Sequence, residues 1–453
     1  MKLISWIQRP ISLALRTHQI SYVLSLYGIA GTLRGLGFEM GKRGVAAVTK
    51  NSNRTCAYDS VFGKNLAQTF VELGPTFIKL GQMLAQRPEW VGESVAVELR
   101  VLFDRVPAIS YKKIEKILKK EWGGEKFKRS IRKIEKKALA SASLSQTHTA
   151  VLTNGTHVIL KVQKPGVDRL VKVDLNLMEN AILVLDRLYP KLSLRPAFND
   201  FKNATLREID YREEARNIDR FQKNNRSLFS KSSVIFPTYQ KDLSTEKVIV
   251  LEPIRGKKTS EMKADSRVAK RAAYIGASAV LEQIFEHGFF HADPHAGNLF
   301  FLEDTGKIGF IDLGLVGYLE PEDRKKFTKV MLSIVKQDRK ELAKTLFALG
   351  TPGKTTEYDV FEKGIGELLD QVKKTGIDNI KIEKIVDQLF KVASKNQLFI
   401  PNRYVLMIRS CLMIEGVAKQ LDSKISLLGI ALPILTKSLI RSYNPLNFLR
   451  PGK

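Results

Sequence analysis

Cysteine is nearly absent. Only Cys56 and Cys411 occur in 453 residues, far apart and in no CxxC or Cys/His spacing. This excludes a disulfide framework and a zinc site, and it suits a reducing compartment. Long apolar runs are missing as well. The longest uncharged stretch near the N-terminus, Gln19 to Leu33, has fifteen residues, and Ile425 to Thr436 has twelve. A bilayer needs about 20, so both stretches read as interfacial or core helices. There are no internal repeats and no low-complexity segments. The remainder, 44% hydrophobic and 27% charged, is that of a folded chain long enough for two or more domains.

Acidic residues are scarce. Forty-seven Asp and Glu face 74 Lys and Arg, a formal charge of +27. Three segments carry 19 of that excess: residues 1–50 with +6, 112–137 with +8 and 424–453 with +5. Such fields attract anionic lipid headgroups, nucleic acid or phosphorylated ligands. No aromatic-basic RNA signature or zinc motif accompanies them, so nucleic acid is not expected and a membrane surface with anionic lipid is. The bland alternative is a lysine-rich bias on solvated faces. The first 38 residues hold no acid but contain Lys2, Arg9, Arg16 and Arg34. That is the composition of an organellar presequence, without a secretory cleavage pattern.

What is present is chemistry. Phe289-Phe290-His291-Ala292-Asp293-Pro294-His295-Ala296-Gly297-Asn298 is followed by Ile311-Asp312-Leu313-Gly314. Asp293 and Asn298 stand five apart, as the catalytic aspartate and metal-binding asparagine do in the kinase pattern H-R-D-x-x-x-x-N, and His291 keeps the leading histidine. Asp312-Leu313-Gly314 takes the place of D-F-G, whose aspartate holds magnesium. Between them, 299–302 and 307–311 read as two strands joined by the turn Glu303-Asp304-Thr305-Gly306. Pairing Leu302 with Lys307 brings Asn298 roughly opposite Asp312, so two oxygen ligands for one hard cation converge. Either half recurs by chance; the histidine, both ligands and a hairpin of the right length together do not.

The rest of the chain supplies a matching frame. Residues 1 to about 108 read as helical, broken at Gly28, Gly31, Gly35 and Gly37. Ile114, Ile117 and Leu118 mark a short amphipathic helix. Ala138 to Gln163 alternates and is rich in β-branched residues, a hairpin turning at Thr153-Asn154-Gly155. A helical region from about 166 to 224 is interrupted at Pro190 and Pro196. Val248 to Leu251 is a short strand leading into Glu252-Pro253-Ile254-Arg255-Gly256, a natural crossover. Beyond about 260 the chain is mostly helical apart from the metal hairpin. The expected fold class is α+β, two-lobed and kinase-like. Its divisions are a helical extension (1–108), a sheet-bearing lobe (109–256), a catalytic lobe (257–350) and a C-terminal helical part with a basic tail (351–453).

In the sheet-bearing part, Val158-Ile159-Leu160-Lys161-Val162 puts a lysine on a strand in the manner of V-A-I-K, where it would meet the α- and β-phosphates. Residues 208–217, from Glu208 to Asn217, offer its glutamate partner. No G-x-G-x-x-G precedes Lys161. Residues 138–148 stand there instead, with small side chains at Ala140-Ser141-Ala142-Ser143 that allow close approach to phosphates without glycine's flexibility. Further upstream, Gly74-Pro75 opens a helix. On it Lys79, Gln82 and Gln86 share one face, and Gly81 permits close packing on another.

These residues resemble the UbiB-like (AarF-type) atypical kinases, the coenzyme Q biosynthesis family, over about residues 60 to 420. The motifs are Lys79-Leu80-Gly81-Gln82 (KxGQ), Ala140-Ser141-Ala142-Ser143 (the Ala-rich loop) and Glu208-Ile209-Asp210 (ExD). Lys161, Glu214, Asp293, Asn298 and Asp312 match kinase-common positions. Ala-Ser-Ala-Ser departs from an all-alanine loop, which opens the question of nucleotide preference. Some bacterial members end in two membrane-spanning helices; here Ile425–Leu435 is short and holds Gly429 and Pro433.

The resemblance implies a kinase-like fold with the KxGQ helix lying where a peptide substrate would bind. It also implies ATP or ADP with magnesium as cofactors, slow ATPase activity and support of ubiquinone synthesis. Lys161 paired with Glu214 would position the phosphates, Asn298 and Asp312 would hold magnesium, and Asp293 would orient the attacking group. Backbone around Glu252 and Ile254 would meet adenine. Lys79 and Gln82 would gate the site, with Glu208 and Asp210 near Lys79 or the metal. The expected partners are quinone-biosynthesis enzymes or lipid-like quinone precursors. The expected place is the cytoplasmic face of a membrane, peripheral, in a bacterial inner membrane or alternatively a mitochondrion. Three readings follow: an ATPase or small-molecule kinase, a protein kinase, and a pseudokinase scaffold. An oxygenase has no flavin, haem or iron motif behind it.

Overall fold

The computed structural model describes residues 13–26, 52–103, 107–188, 194–225, 233–353, 356–375 and 382–443. Most of the basic N-terminal segment, Gly28 through Gly37, Pro190 and the end of the basic tail lie outside them. The chain divides into two compact units, Met1–Glu213 with Tyr239–Glu252, and Glu214–Thr238 with Pro253–Lys453. The 1–108 stretch therefore belongs to one unit with the sheet, and segment 214–238 goes to the catalytic unit.

The first unit opens with helices α1 (Leu13–Leu26), α2 (Ser52–Leu73), α3 (Pro75–Ala85), α4 (Pro88–Val91) and α5 (Glu93–Leu99). Then come α6 (Tyr111–Trp122), α7 (Gly124–Ser130), β1 (Ile131–Ile134), β2 (Ala140–Ser141), β3 (Ser145–Leu152) and β4 (His157–Gln163). It continues with α8 (Val167–Leu188) and α9 (Leu194–Glu208), and its last strand is β6 (Val248–Leu251). Helix α10 (Tyr211–Asn225) begins in this unit and runs into the second. The sheet is antiparallel, ordered β1-β3-β4-β6, with β2 beside β3.

Alternation explains which face it buries. Val158, Leu160 and Val162 of β4 and Val248 and Val250 of β6 pack on Ile114, Leu118 and Trp122. Those three recur every four residues on one side of α6, as an amphipathic helix requires. Trp122 donates its indole N–H to the Leu243 carbonyl at 2.8 Å, satisfying the one polar atom that burial would strand. The sequence expectation of a break at Pro196 is corrected. Pro196 lies in the first turn of α9, where its missing N–H costs nothing, and the break comes at Asp210.

A buried ion pair ties α1 to this body. Arg16 Nε and Nη2 donate to Asp174 Oδ1 and Oδ2 at 2.6 and 2.9 Å. The same guanidinium donates to Gln19 Oε1 at 2.6 Å and to the Leu73 carbonyl at 2.5 Å. Arg16 and Asp174 are 1% and 0% exposed, so only this full set of partners makes burying the charges tolerable.

The second unit is built around aromatic rings. Besides most of α10 it holds β5 (Val234–Ile235), β7 (Lys257–Lys258), α11 (Arg267–Glu282), β8 (Phe289–His291), β9 (Leu299–Leu302), β10 (Lys307–Phe310) and β11 (Val316–Tyr318). Helices α12 (Pro321–Lys336), α13 (Arg339–Phe347), α14 (Tyr358–Thr375), α15 (Ile382–Lys395), α16 (Asn402–Leu421) and α17 (Leu427–Tyr443) complete it, with the small pair β12 (Thr351–Pro352) and β13 (Leu398–Phe399). Phe221 stacks with Phe236 and tilts on Phe289, and Phe236 stacks on Phe310, at centroid separations of 4.7 to 5.6 Å. No helix among the described residues is long and apolar enough to cross a membrane; α17 carries Pro433 inside it.

Removing one partner of the Arg16–Asp174 pair leaves the other charge buried. Arg16→Met or Asp174→Leu alone is expected to cost about 3–5 kcal/mol, and the double substitution much less than the sum. Urea unfolding of all four proteins measures this. Additive single-site losses would show that the pair is not coupled.

Candidate active site

The catalytic unit places its residues on a hairpin. Strands β9 and β10 pair Leu302 with Lys307 and Leu299 with Phe310. Ile311 N–H donates to Asn298 O at 3.0 Å. Asn298 is thus level with Ile311, and Asp312 lies one residue past the expected register. Asp312 adopts φ +54°, a left-handed conformation rare for a non-glycine residue. Gly314 N–H donates back to its Oδ1 at 3.4 Å.

His291 fixes the two loops against each other. It is fully buried, and burial pulls its pKa below the ordinary value. Its Nδ1 accepts from Asp293 N–H at 3.0 Å, so the ring is neutral with the proton on Nε2, which faces the Ile311 carbonyl at 3.2 Å. Asn298 Nδ2 donates to the Asp293 carbonyl at 3.1 Å, leaving its Oδ1 as the atom able to meet a cation. Glu214 is buried, and its Oε2 lies 3.8 Å from where a Cβ on Gly314 would stand. Asn217 on the same helix donates to the Leu313 carbonyl at 2.9 Å. His295 is exposed and caps its own loop, its Nδ1 accepting from Gly297 N–H. Ile254 packs against Gly309, where an added Cβ would meet it at 2.6 Å.

The first unit holds the remaining residues. Ala140, Thr147, Lys161 and Ile249 form one cross-strand row. Directly opposed residues share a face, so Lys161 and the Ala-Ser turn lie on the side away from α6, two strands or about 10 Å apart. Lys161 Nζ sits 5.7 Å from the Tyr211 ring centroid. Ala142 N–H closes the turn onto the Ser145 carbonyl at 2.9 Å, and Ser141 Oγ donates to the Pro107 carbonyl at 3.3 Å. Ser143 lies in the same turn, between β2 and β3.

Lys79 Nζ lies 2.5 Å from Glu208 Oε2, and Gln82 Nε2 donates to the Leu102 carbonyl at 2.8 Å. A Cβ on Gly81 would come within 2.2 Å of Leu102 and 2.5 Å of Phe70, so only glycine fits. Asp210 accepts from Arg212, at 2.8 Å from Nε and 2.7 Å from Nη2. Glu252 accepts from Gln240 Nε2 at 2.9 Å. Lys161 and Glu214 fall in different units.

Three contributors carried no motif. Gln283, in a π-helical turn, accepts from His291 N–H at 3.1 Å. Arg409 Nη2 reaches Asp293 Oδ1 at 3.4 Å. Lys164 is 3% exposed behind the Ala-Ser turn, its amine 3.5 Å from the Pro107 carbonyl. Only tertiary contacts single them out.

Residues 101–346 match the model of the ABC1 atypical kinase-like domain, and 365–426 match the UbiB helical domain. The chain belongs to this family of atypical kinases. It is 31% identical over 401 residues to "Probable protein kinase UbiB" of Shewanella pealeana, covering 85% of this chain and 72% of that one. Identity is 32% over 383 residues to the chloroplastic protein Activity of bc1 complex kinase 7 of Arabidopsis thaliana, covering 81% of this chain and 53% of that one. Among solved structures, a Mycobacterium tuberculosis protein complexed with erythromycin superposes with a TM-score of 0.50 at 22% identity, covering 76% and 90% of the two chains. The fold is kinase-like, and phosphotransferase chemistry is the coarse expectation for this UbiB-type chain.

The donor set suits a cation carried by a polyphosphate. Among the described residues no group of three or more His, Cys, Asp or Glu could hold a metal ion by itself. Magnesium is commonly bound through one or two carboxylates plus substrate phosphates, and one asparagine oxygen with one aspartate fits that mode.

Burial lowers the Lys164 pKa to about 8. The unfolded chain, with an ordinary lysine near 10.4, binds more protons between those values, so stability should rise with pH from about 8 to 10. Lys164→Met is expected to be more stable than the parent at pH 7 and to lack that rise. Identical pH profiles in denaturant titrations would contradict this.

Proposed function

We propose that this UbiB-type chain is a magnesium- and ATP-dependent atypical kinase or ATPase that supports ubiquinone biosynthesis at a membrane surface. The observation that carries the reading is the convergence on one loop: Asn298 bonds the Asp293 carbonyl, and neutral His291 bridges the Asp293 N–H and the Ile311 carbonyl, next to Asp312 in its left-handed turn. Lys161 is assigned to the α- and β-phosphates, with Glu214 as its counter-charge, and backbone near Glu252 and Ile254 to adenine. Asn298 and Asp312 would hold magnesium, which neutralises charge on the phosphates. Asp293 orients the attacking hydroxyl or water and accepts its proton. The Ala140–Ser143 turn lets backbone and hydroxyls approach phosphate oxygens. Lys79, pinned to Glu208, and Gln82 hold the KxGQ helix as a gate, and Asp210 braces the following turn.

The membrane part of the proposal is supported by exposed cations on one unit. Lys112, Lys116, Lys119, Lys120, Lys128 and Arg129 are among those exposed on α6 and α7. Each is worth about 1 kcal/mol near an anionic surface. The quinone part follows from the kinship with proteins named UbiB, and lipid-like quinone precursors or their enzymes are the proposed partners.

Release of γ-phosphate from ATP by purified protein tests the chemistry. Turnover is expected to fall at least about a hundredfold in Asp312→Asn, which removes a magnesium ligand. ATP binding without turnover in either protein would leave a binding scaffold, and phosphopeptide products would point to a protein kinase.

Sedimentation with vesicles tests the surface separately. Lys116→Glu, Lys120→Glu and Arg129→Glu combined should weaken binding to phosphatidylglycerol vesicles by tenfold or more. Phosphatidylcholine vesicles should show little binding by either protein. Unchanged binding to the anionic vesicles would remove this face from the proposal.

A further inference from the structure

Arg409 lies outside the segment that matches the kinase-like domain and inside the one that matches the helical domain. It nevertheless touches the candidate base. Its Nη2 is 3.4 Å from Asp293 Oδ1, and the next residue, Ser410, donates its buried hydroxyl to the His291 carbonyl at 2.7 Å. Successive side chains on a helix diverge by about 100°. Two neighbours reaching residues 291 and 293 therefore fix how α16 crosses the catalytic loop.

Elsewhere on the same helix Arg403 bonds Asp323 at 2.8 Å, with Tyr404 joining the same carboxylate. The contact from Arg409 Nη2 to Asp293 Oδ1 is longer, at 3.4 Å, and falls on the candidate base itself. The Arg409 side chain is 21% exposed and that of Asp293 30%. The loop's own nearby cation candidate, His295, is turned back onto Gly297. A guanidinium stays charged at any working pH and matches phosphate geometry.

We infer that Arg409 is a catalytic residue: the cation that meets the transferred phosphoryl group, supplied by the helical domain to the kinase-like domain. The inference rests on the phosphoryl-transfer reading. In that step the bond between the γ-phosphorus and the β–γ bridging oxygen breaks, and phosphorus bonds to the oxygen of water or a hydroxyl. The proton of that oxygen passes to Asp293, and ADP leaves. Charge spreads over the three equatorial oxygens, where an arginine in cis stabilises the transition state. Arg409 holds the base in the resting state and the phosphoryl oxygens in the transition state.

Binding of Mg-ADP with and without aluminium fluoride, a mimic of the transferring phosphoryl group, separates the possibilities. The parent protein should bind Mg-ADP more tightly with fluoroaluminate present. Arg409→Met and Arg409→Gln are both measured, so that a folding failure of one leaves the other. Each should lose about tenfold or more of that gain while its affinity for Mg-ADP alone stays within about twofold. Turnover should fall about a hundredfold or more at nearly unchanged KM, and Arg409→Lys should recover part of both losses. Equal fluoroaluminate gains in parent and both variants would overturn the inference and leave the phosphoryl-transfer reading intact. No gain in the parent would overturn that reading and the inference with it.

Discussion

An uncharged imidazole holds the catalytic half of this protein together. His291 accepts from the backbone of Asp293 on one side and faces the carbonyl of Ile311 on the other. A charged ring could not do both, since Nδ1 would then be a donor facing a donor. Burial keeps the ring neutral, and the aromatic column of Phe221, Phe236 and Phe310 supplies that burial. The polar arrangement thus depends on an apolar one. The neutral ring links the backbone of Asp293 to that of Ile311, the residue before Asp312.

The loop is gripped from two sides, one of them outside its own domain. Gln283 holds the backbone of His291 from a π-helical turn, and Ser410 holds its carbonyl from α16. In the other unit the KxGQ helix is fixed by similar economy of contact: Lys79 on Glu208, Gln82 on a carbonyl, and Gly81 with no room for a methyl group. Arg16 then fastens α1 beside the start of that helix through three hydrogen bonds to Asp174 and the Leu73 carbonyl. Buried charge at that latch favours one arrangement of the helical segment over others that bury comparable apolar surface.

Much of this was legible in the chain. The β3–β4 and β9–β10 hairpins announce themselves through alternation and through Asn-Gly and Thr-Gly turns, because strand period and turn chemistry are local properties. Asp293, Asn298 and Asp312 follow from spacing, since a short hairpin leaves few ways to arrange them. Local reasoning failed where distant residues decide. Asn298 proved level with Ile311, one residue before Asp312, and the left-handed φ of Asp312 carries no local sequence signal. Pro196 looked like a helix breaker but sits in a first turn that needs no N–H.

The sequence by itself determined the chemistry: which oxygens and which lysine could handle a phosphate, and the hairpin that carries three of them. Those rest on covalent spacing and short-range hydrogen bonding, which survive any change of distant context. The tertiary structure alone decided that Arg409, Ser410 and Gln283 serve the same loop, and that Lys164 loses its ordinary basicity. Such facts depend on burial and on tertiary contacts, which for Arg409 and Ser410 join residues more than a hundred positions apart, and no motif in the local pattern of either partner encodes them.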